Sequence, residues 1–157
     1  MSSSDNAVTE SRRVRRSSTG FAAFLLLGCA SIAAGCSGGS ADAGNGAVYD
    51  AWRAQHSRIE VTASGSVSRI LGTRLGRSGA HEGFLLHLSG ADGHGLTVRV
   101  EDNVDLTGPI PLAPGEAATV RGEYIYDPRG GLIHYTHRDP RGYHAAGYVQ
   151  AAGRVYQ

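Results

Sequence analysis

Apolar and polar residues follow one another with two different periods, and the change of period divides the chain into parts. From Ile59 to Leu71 the run Ile-Glu-Val-Thr-Ala-Ser-Gly-Ser-Val-Ser-Arg-Ile-Leu alternates, with Gly65 in its interior. That predicts one long, half-buried strand that bends or bulges at the glycine. Gly83-Phe-Leu-Leu-His-Leu predicts a second strand and Gly95-Leu-Thr-Val-Arg-Val a third, joined by Ser89-Gly-Ala-Asp-Gly-His-Gly, a loop of residues that tolerate positive φ. Asn103 to Gly115 contains Pro109, Pro111 and Pro114 and so must be a connection rather than a central strand. Ala118 to Tyr126 predicts a fourth strand, and Leu132 to His137 a fifth across the Asp127-Pro-Arg-Gly-Gly turn. A last strand is expected over Gly147 to Gln150, with Arg154 to Tyr156 folded back onto it through Ala151-Ala-Gly. Upstream, Val48, Ala51, Trp52 and Gln55 recur at three- and four-residue spacing, which predicts a short helix within residues 47–57 anchored on the body by Trp52.

A meander with a long bent first strand, a long crossover and then a glycine-interrupted strand is the rhythm of a small OB-like barrel. The expected fold is therefore all-β: a barrel of five to six strands over residues 58–157 with a short N-terminal helix. Barrel closure brings backbones together, and Gly65 and Gly122 are the positions expected at those close approaches.

Residues 1–35 read as a leader. Arg12, Arg13, Arg15 and Arg16 form a basic n-region, and the apolar run Phe21 to Ala34 is short for a permanent membrane span. The run closes on Ile32-Ala33-Ala34-Gly35-Cys36, which resembles the lipobox of bacterial lipoproteins, in which the cysteine thiol receives diacylglycerol. The resemblance implies that Cys36 becomes the lipidated first residue, with the membrane as a partner through that anchor. Residues 36–46 are then the lipidated cysteine and a small, polar, glycine-rich flexible tether. Ser37, rather than Asp, follows the cysteine, so the expected location is the cell envelope, at the outer membrane and facing the periplasm.

Removing the leader changes the charge balance. The whole chain has 15 basic and 14 acidic residues, every basic one an arginine. Without the four leader arginines, Asp5 and Glu10, eleven Arg face twelve Asp and Glu. A phosphate-backbone binder normally carries a clear cationic excess, so nucleic acid is not expected as a partner. Cys29 leaves with the leader and Cys36 is acylated, so the exported body must be held by its core rather than by a disulfide.

The chemistry is concentrated in Gly122-Glu-Tyr-Ile-Tyr-Asp-Pro-Arg-Gly-Gly-Leu-Ile-His134-Tyr-Thr-His137-Arg-Asp139-Pro-Arg-Gly-Tyr-His144, which crowds three imidazoles and a carboxylate around a turn. His81, Glu123, His134, His137, Asp139 and His144 are the candidate site residues, expected around one mouth of the barrel. Strand alternation places His134 and Thr136 on one face and Tyr135, His137 and Asp139 on the other, with the Pro140-Arg-Gly turn returning His144 toward Asp139. His137, Asp139, His144 and His81 form a candidate set for zinc or another divalent transition metal, although neither the spacing nor any cysteine matches a standard zinc pattern. Tyr124, Tyr126, Tyr135, Tyr143 and Tyr148 are either half-buried strand residues or a stacking face for a sugar or base. Asn103 and Asp105 suit Asx-type caps, and His56, His87 and His94 suit surface or loop positions. Two functions follow. One is a binding or assembly module for a small polar ligand, a glycan or a protein segment. The other is a hydrolase acting on a phosphoester or other envelope substrate, with His137 or His144 as general base, Asp139 or Glu123 orienting it, and Arg138 or Arg141 holding an anion.

The Gly-Glu-Tyr run followed by Ile-His-aromatic-Thr-His-x-Asp-Pro resembles the motifs of the domain of unknown function 3465 family. The resemblance extends over Gly65 to Leu71, His81, Asn103-Val-Asp-Leu, Gly115, His144, Gly147 and the terminal Gly153 to Gln157. It implies an envelope protein with this fold and assigns no reaction. In that family Gln typically follows the first His, and a His usually precedes the Asn-aliphatic-Asp-Leu motif; here Glu82 and Asp102 stand at those places.

Overall fold

The computed structural model describes residues 41–91 and 93–157. The leader expected over residues 1–35, Cys36 and the first residues of the expected tether lie outside that range. Helix α1 (Ala41–Arg53) is followed by β1 (Ile59–Gly76), β2 (Gly79–Leu88), β3 (Leu96–Asn103), the single turn α2 (Val104–Thr107), β4 (Ala117–Ile125), β5 (Leu132–His134), β6 (Tyr148–Ala151) and β7 (Arg154–Tyr156).

The strands form one sheet in the order β1-β2-β3-β5-β4-β6-β7, and β1 also pairs with β4. Five of them therefore close a ring, β1-β2-β3-β5-β4-β1, with β3 and β5 parallel and the other ring pairings antiparallel. This is the expected OB-type barrel, with the β6–β7 hairpin added on β4. The first strand makes the closure possible because it serves two partners. Ile59 to Ser66 pair with β4, and Ser66 to Gly76 pair with β2. A Cβ on Gly65 would stand 2.1 Å from the His87 carbonyl oxygen, and one on Gly122 would stand 2.2 Å from that of His134. Both glycines thus lie where backbones approach too closely for any side chain. The bulges, however, fall between Val67 and Arg69 and between Ile70 and Gly72, beyond Gly65.

Alternation fills the barrel. Val61, Ala63 and Val67 of β1, Leu86 and Leu88 of β2, Leu96, Val98 and Val100 of β3, and Ala118, Val120 and Tyr124 of β4 are buried. Tyr124 is wholly enclosed and donates its hydroxyl to the Gly130 carbonyl at 3.0 Å. Desolvation, with smaller contributions from Tyr126 and Asp127, pushes that phenol up to about 12.

Helix α1 differs from the expected element. It begins at Ala41, inside the stretch expected as tether, and it carries Asn45 into the interior. Asn45 Nδ2 donates to Ser64 O at 2.9 Å, and Ser64 N donates to Asn45 Oδ1 at 2.8 Å, so the side chain pairs with β1 as a strand backbone would. Glycine-rich composition suggested a flexible linker; this two-way amide pairing with Ser64, with Val48 and Ala51 buried beside it, fixes the segment instead. The helix ends at Arg53; just beyond it Gln55 takes a left-handed φ of 56°, and His56 N closes onto Ala51 O at 2.9 Å.

Candidate functional site

At the His81–Asn103 end of the β2–β3 pair the barrel opens into a cleft of about 1000 Å³. One wall is the β1–β2 hairpin tip. Asn103 Nδ2 donates to Ser78 O at 3.0 Å, Asn103 Oδ1 accepts Asp105 N at 3.1 Å, and Asp105 Oδ2 accepts Ala80 N at 2.8 Å. Asn103 thus makes the expected Asx-type cap, here at the start of the single turn α2, and the same short segment pins the hairpin. Strand β2 starts at Gly79, ahead of the expected Gly83, so His81 lies within it, paired with Arg74 and Asn103. Its Nδ1 donates to Gly79 O at 2.9 Å, and Ser78 Oγ lies 3.3 Å from Nε2.

The other wall is residues 134–144, where regular strand geometry fails. Strand β5 stops at His134 because Tyr135 adopts a φ of 55°. A left-handed residue breaks the two-residue alternation, so His134 and Tyr135 stack with ring centroids 3.9 Å apart instead of projecting oppositely. Tyr135 also stacks on His144 at 4.2 Å, with only 9° between the planes, and His137 meets His144 edge-on at 4.9 Å. The expectation that His134 stands on the face opposite His137 is thereby corrected: Tyr135 joins them into one series of rings. The left-handed conformation costs about 1–2 kcal/mol, and ring pairs of this kind return about 0.5–1.5 kcal/mol each, so the stack is comparable with the strain. Gly147 completes the packing: its N–H donates to His137 O at 3.0 Å, and a Cβ there would lie 2.1 Å from Tyr135 O.

Hydrogen bonds fix the imidazoles individually. His137 Nδ1 lies 3.1 Å from Arg138 O and His144 Nδ1 2.8 Å from Ala145 O; a carbonyl only accepts, so each Nδ1 carries the proton and each Nε2 is left to the cleft. His134 Nε2 lies 3.1 Å from Glu123 Oε1, which places Glu123 behind His134, one step removed from the cleft lining. Asp139 is a turn residue. Its Oδ1 accepts Arg141 N at 2.8 Å and its Oδ2 accepts Tyr143 N. The Arg141 amide above all, helped by those of Tyr143 and His144 and by the His144 charge, holds the carboxyl below its ordinary range. With Asp139 spent on backbone amides, His137, Asp139, His144 and His81 do not converge as ligands. Among the described residues no three His, Cys, Asp or Glu side chains are placed to hold a metal ion.

The tyrosines divide between the two alternatives by environment. Tyr124 is in the core, Tyr126 accepts from Gln55 Nε2 at 3.1 Å, and only Tyr135 and Tyr143 line the cleft, Tyr143 being 83% exposed.

Sequence reasoning missed the residue behind the site. Asp102 is 0% exposed, Thr136 Oγ1 donates to its Oδ1 at 2.6 Å, and Thr107 Oγ1 donates to its Oδ2. Burial raises its carboxyl above the ordinary range, opposed by the two threonine hydroxyls and by the charges of His137 and His81. The pair of threonines suits either protonation state. Thr136 also has Glu101 O at 3.2 Å, and Thr107 has Asn103 O at 3.1 Å and Gly108 O at 3.0 Å, so each hydroxyl can turn to a carbonyl when Asp102 holds the proton. The signal was present in the alternation: Leu96, Val98 and Val100 point inward, and Asp102 is next on that face. Glu82, the other departure from the family pattern, accepts Ile110 N at 3.2 Å and so ties the proline-rich crossover to β2.

The molecule is thus an OB-type barrel with a polar, imidazole-lined cleft at one end. The chain belongs to the family described as protein of unknown function (DUF3465), whose model matches residues 32–157. No curated protein matches it. Among solved structures it is similar to the small single-stranded DNA-binding protein from Streptomyces coelicolor, at 20% identity and a TM-score of 0.45, over 62% of this chain and 95% of that one. That likeness carries no functional argument.

Proposed function

We propose that this is a lipid-anchored cell-envelope protein, held at the outer membrane through Cys36 and facing the periplasm, whose barrel is a binding or assembly module. The anchoring part is supported by Ile32-Ala33-Ala34-Gly35-Cys36 at the end of the apolar run. No helix among the described residues is long and apolar enough to cross a membrane. Fractionation tests the anchor: wild-type protein sediments with membranes and Cys36→Ser is released or misprocessed. Soluble wild-type protein with an unmodified thiol overturns the anchor.

The observation that carries the binding role is the ring series of Tyr135, His144 and His137 along an open cleft, with Tyr143 exposed beside it. Rings fixed by mutual stacking and by backbone hydrogen bonds lose little freedom when a ligand seats on them. Titration with defined envelope sugars and peptides, followed by ring resonances in NMR, shifts Tyr135, Tyr143 and His144 before any residue of α1. A hydrolytic alternative is favoured by one contact, His134 with Glu123, which orients an imidazole as a general base would be oriented.

A further inference from the structure

The hydrogen-bonding groups of the cleft are unequally used, and the imbalance identifies a ligand class. Its three carboxylates are engaged within the protein. Glu101 Oε1 receives both Arg74 and Arg99, Asp105 receives the Ala80 amide, and Asp139 receives two amides of its own turn. The cleft is also lined by Arg77 and Arg141, for which no carboxylate partner stands among the described residues. Each guanidinium offers five N–H donors and accepts nothing.

Both arginines are held at the backbone. Arg77 sits in the hairpin tip that Asn103 and Asp105 pin through Ser78 and Ala80, and Arg141 donates its own amide to Asp139. Two cations on fixed turns beside the exposed Tyr143 ring form a site for an acceptor-rich group joined to a ring. We infer that the cleft binds a ring-bearing anion, a phosphate or carboxylate carried on an aromatic ring or a pyranose, with its charge on Arg77 and Arg141 and its ring against the exposed Tyr143 and the edge of Tyr135, whose two faces are taken by His134 and His144. This inference rests on the binding-module reading and names its ligand class.

Full-length protein in detergent is titrated calorimetrically, and by NMR of the tyrosine and histidine rings, with phenyl phosphate, phenol, glucuronate and glucose. At least one anion is expected to bind tenfold or more tightly than its uncharged counterpart, and whichever pair shows the larger ratio distinguishes a phosphate from a carboxylate source. The double variant Arg77→Gln/Arg141→Gln removes that preference, whereas Arg154→Gln, away from the cleft, keeps it. Equal binding of charged and uncharged partners, or an unchanged preference in the double variant, overturns the anion inference and leaves the binding module standing. Absence of any shift in the cleft rings with all four probes overturns both. Conversion of phenyl phosphate and water to phenol and inorganic phosphate supports anion recognition and replaces the module by the hydrolase.

Discussion

The two ends of the β2–β3 pair are built from similar residues and finished in opposite ways. At the Leu88–Leu96 end, α1 lies across the barrel: Tyr49 reaches the carbonyls of Leu88 and His94 at 3.0 and 2.9 Å, and Asn45 is matched to Ser64 in both directions. At the His81–Asn103 end the polar groups are also held, but the bonds go to turns of the same wall and leave the Tyr143 ring, the Nε2 atoms of His137 and His144, and the Arg77 and Arg141 guanidiniums to the cleft. A polar side chain that meets a complementary backbone stabilises the fold. One that is merely oriented by its own turn remains available to something else.

That contrast can be broken from either side. Tyr49→Ala has the largest expected effect, about 3–5 kcal/mol in denaturant unfolding, because it removes a buried ring and leaves a hollow under α1. The His137 and His144 resonances of the folded fraction should stay where they are. Asn45→Ala comes next at about 1–3 kcal/mol, since it strands the Ser64 amide and carbonyl in the interior; a melting temperature equal to wild type would return the segment to a mere tether.

Asp102→Asn sharpens the comparison from beneath the open end. The folded carboxyl is raised by burial, so its contribution is complete below the ordinary Asp value of about 4 and is lost as pH rises through the folded value. Wild-type stability relative to Asp102→Asn should therefore be greatest in acid and decline toward neutrality in parallel melts. A constant offset at every pH would mean that Asp102 does not change its proton on unfolding. The smallest change is expected for Tyr143→Ala, within about 0.5 kcal/mol of wild type as befits an exposed side chain, although ring-ligand titration should lose affinity.

The closed ring of strands was legible in the sequence because its period is regular: β3, β4 and the body of β2 fall where alternation puts them, and Gly65 and Gly122 mark the backbone contacts that closure requires. The candidate site was legible as a set of residues but not as an arrangement. Its geometry turns on the left-handed Tyr135, and nothing in Ile-His-Tyr-Thr-His announces that a tyrosine will take a conformation usually left to glycine or asparagine. Strand reasoning therefore extended β5 to His137 and separated rings that the break brings together. Likewise, Asn45 within a glycine-rich run has the composition of a linker, and only its distant partner at Ser64 makes it structural.

The double service of β1 has a consequence for how the chain reaches this state. The β1–β2–β3 meander pairs neighbours in sequence, but the ring is sealed only when Ile59 meets Tyr124 and Arg99 meets Leu132. Sealing must wait for the whole crossover and β4 to be available, and barrels dominated by such distant pairings fold in milliseconds to seconds rather than microseconds. Until then the Ile59–Ser66 edge stands unpaired, an invitation to neighbouring chains. During biogenesis the hazardous interval belongs to that edge, and the residues that end it, Ala117 to Tyr124, emerge only after the whole meander and the crossover.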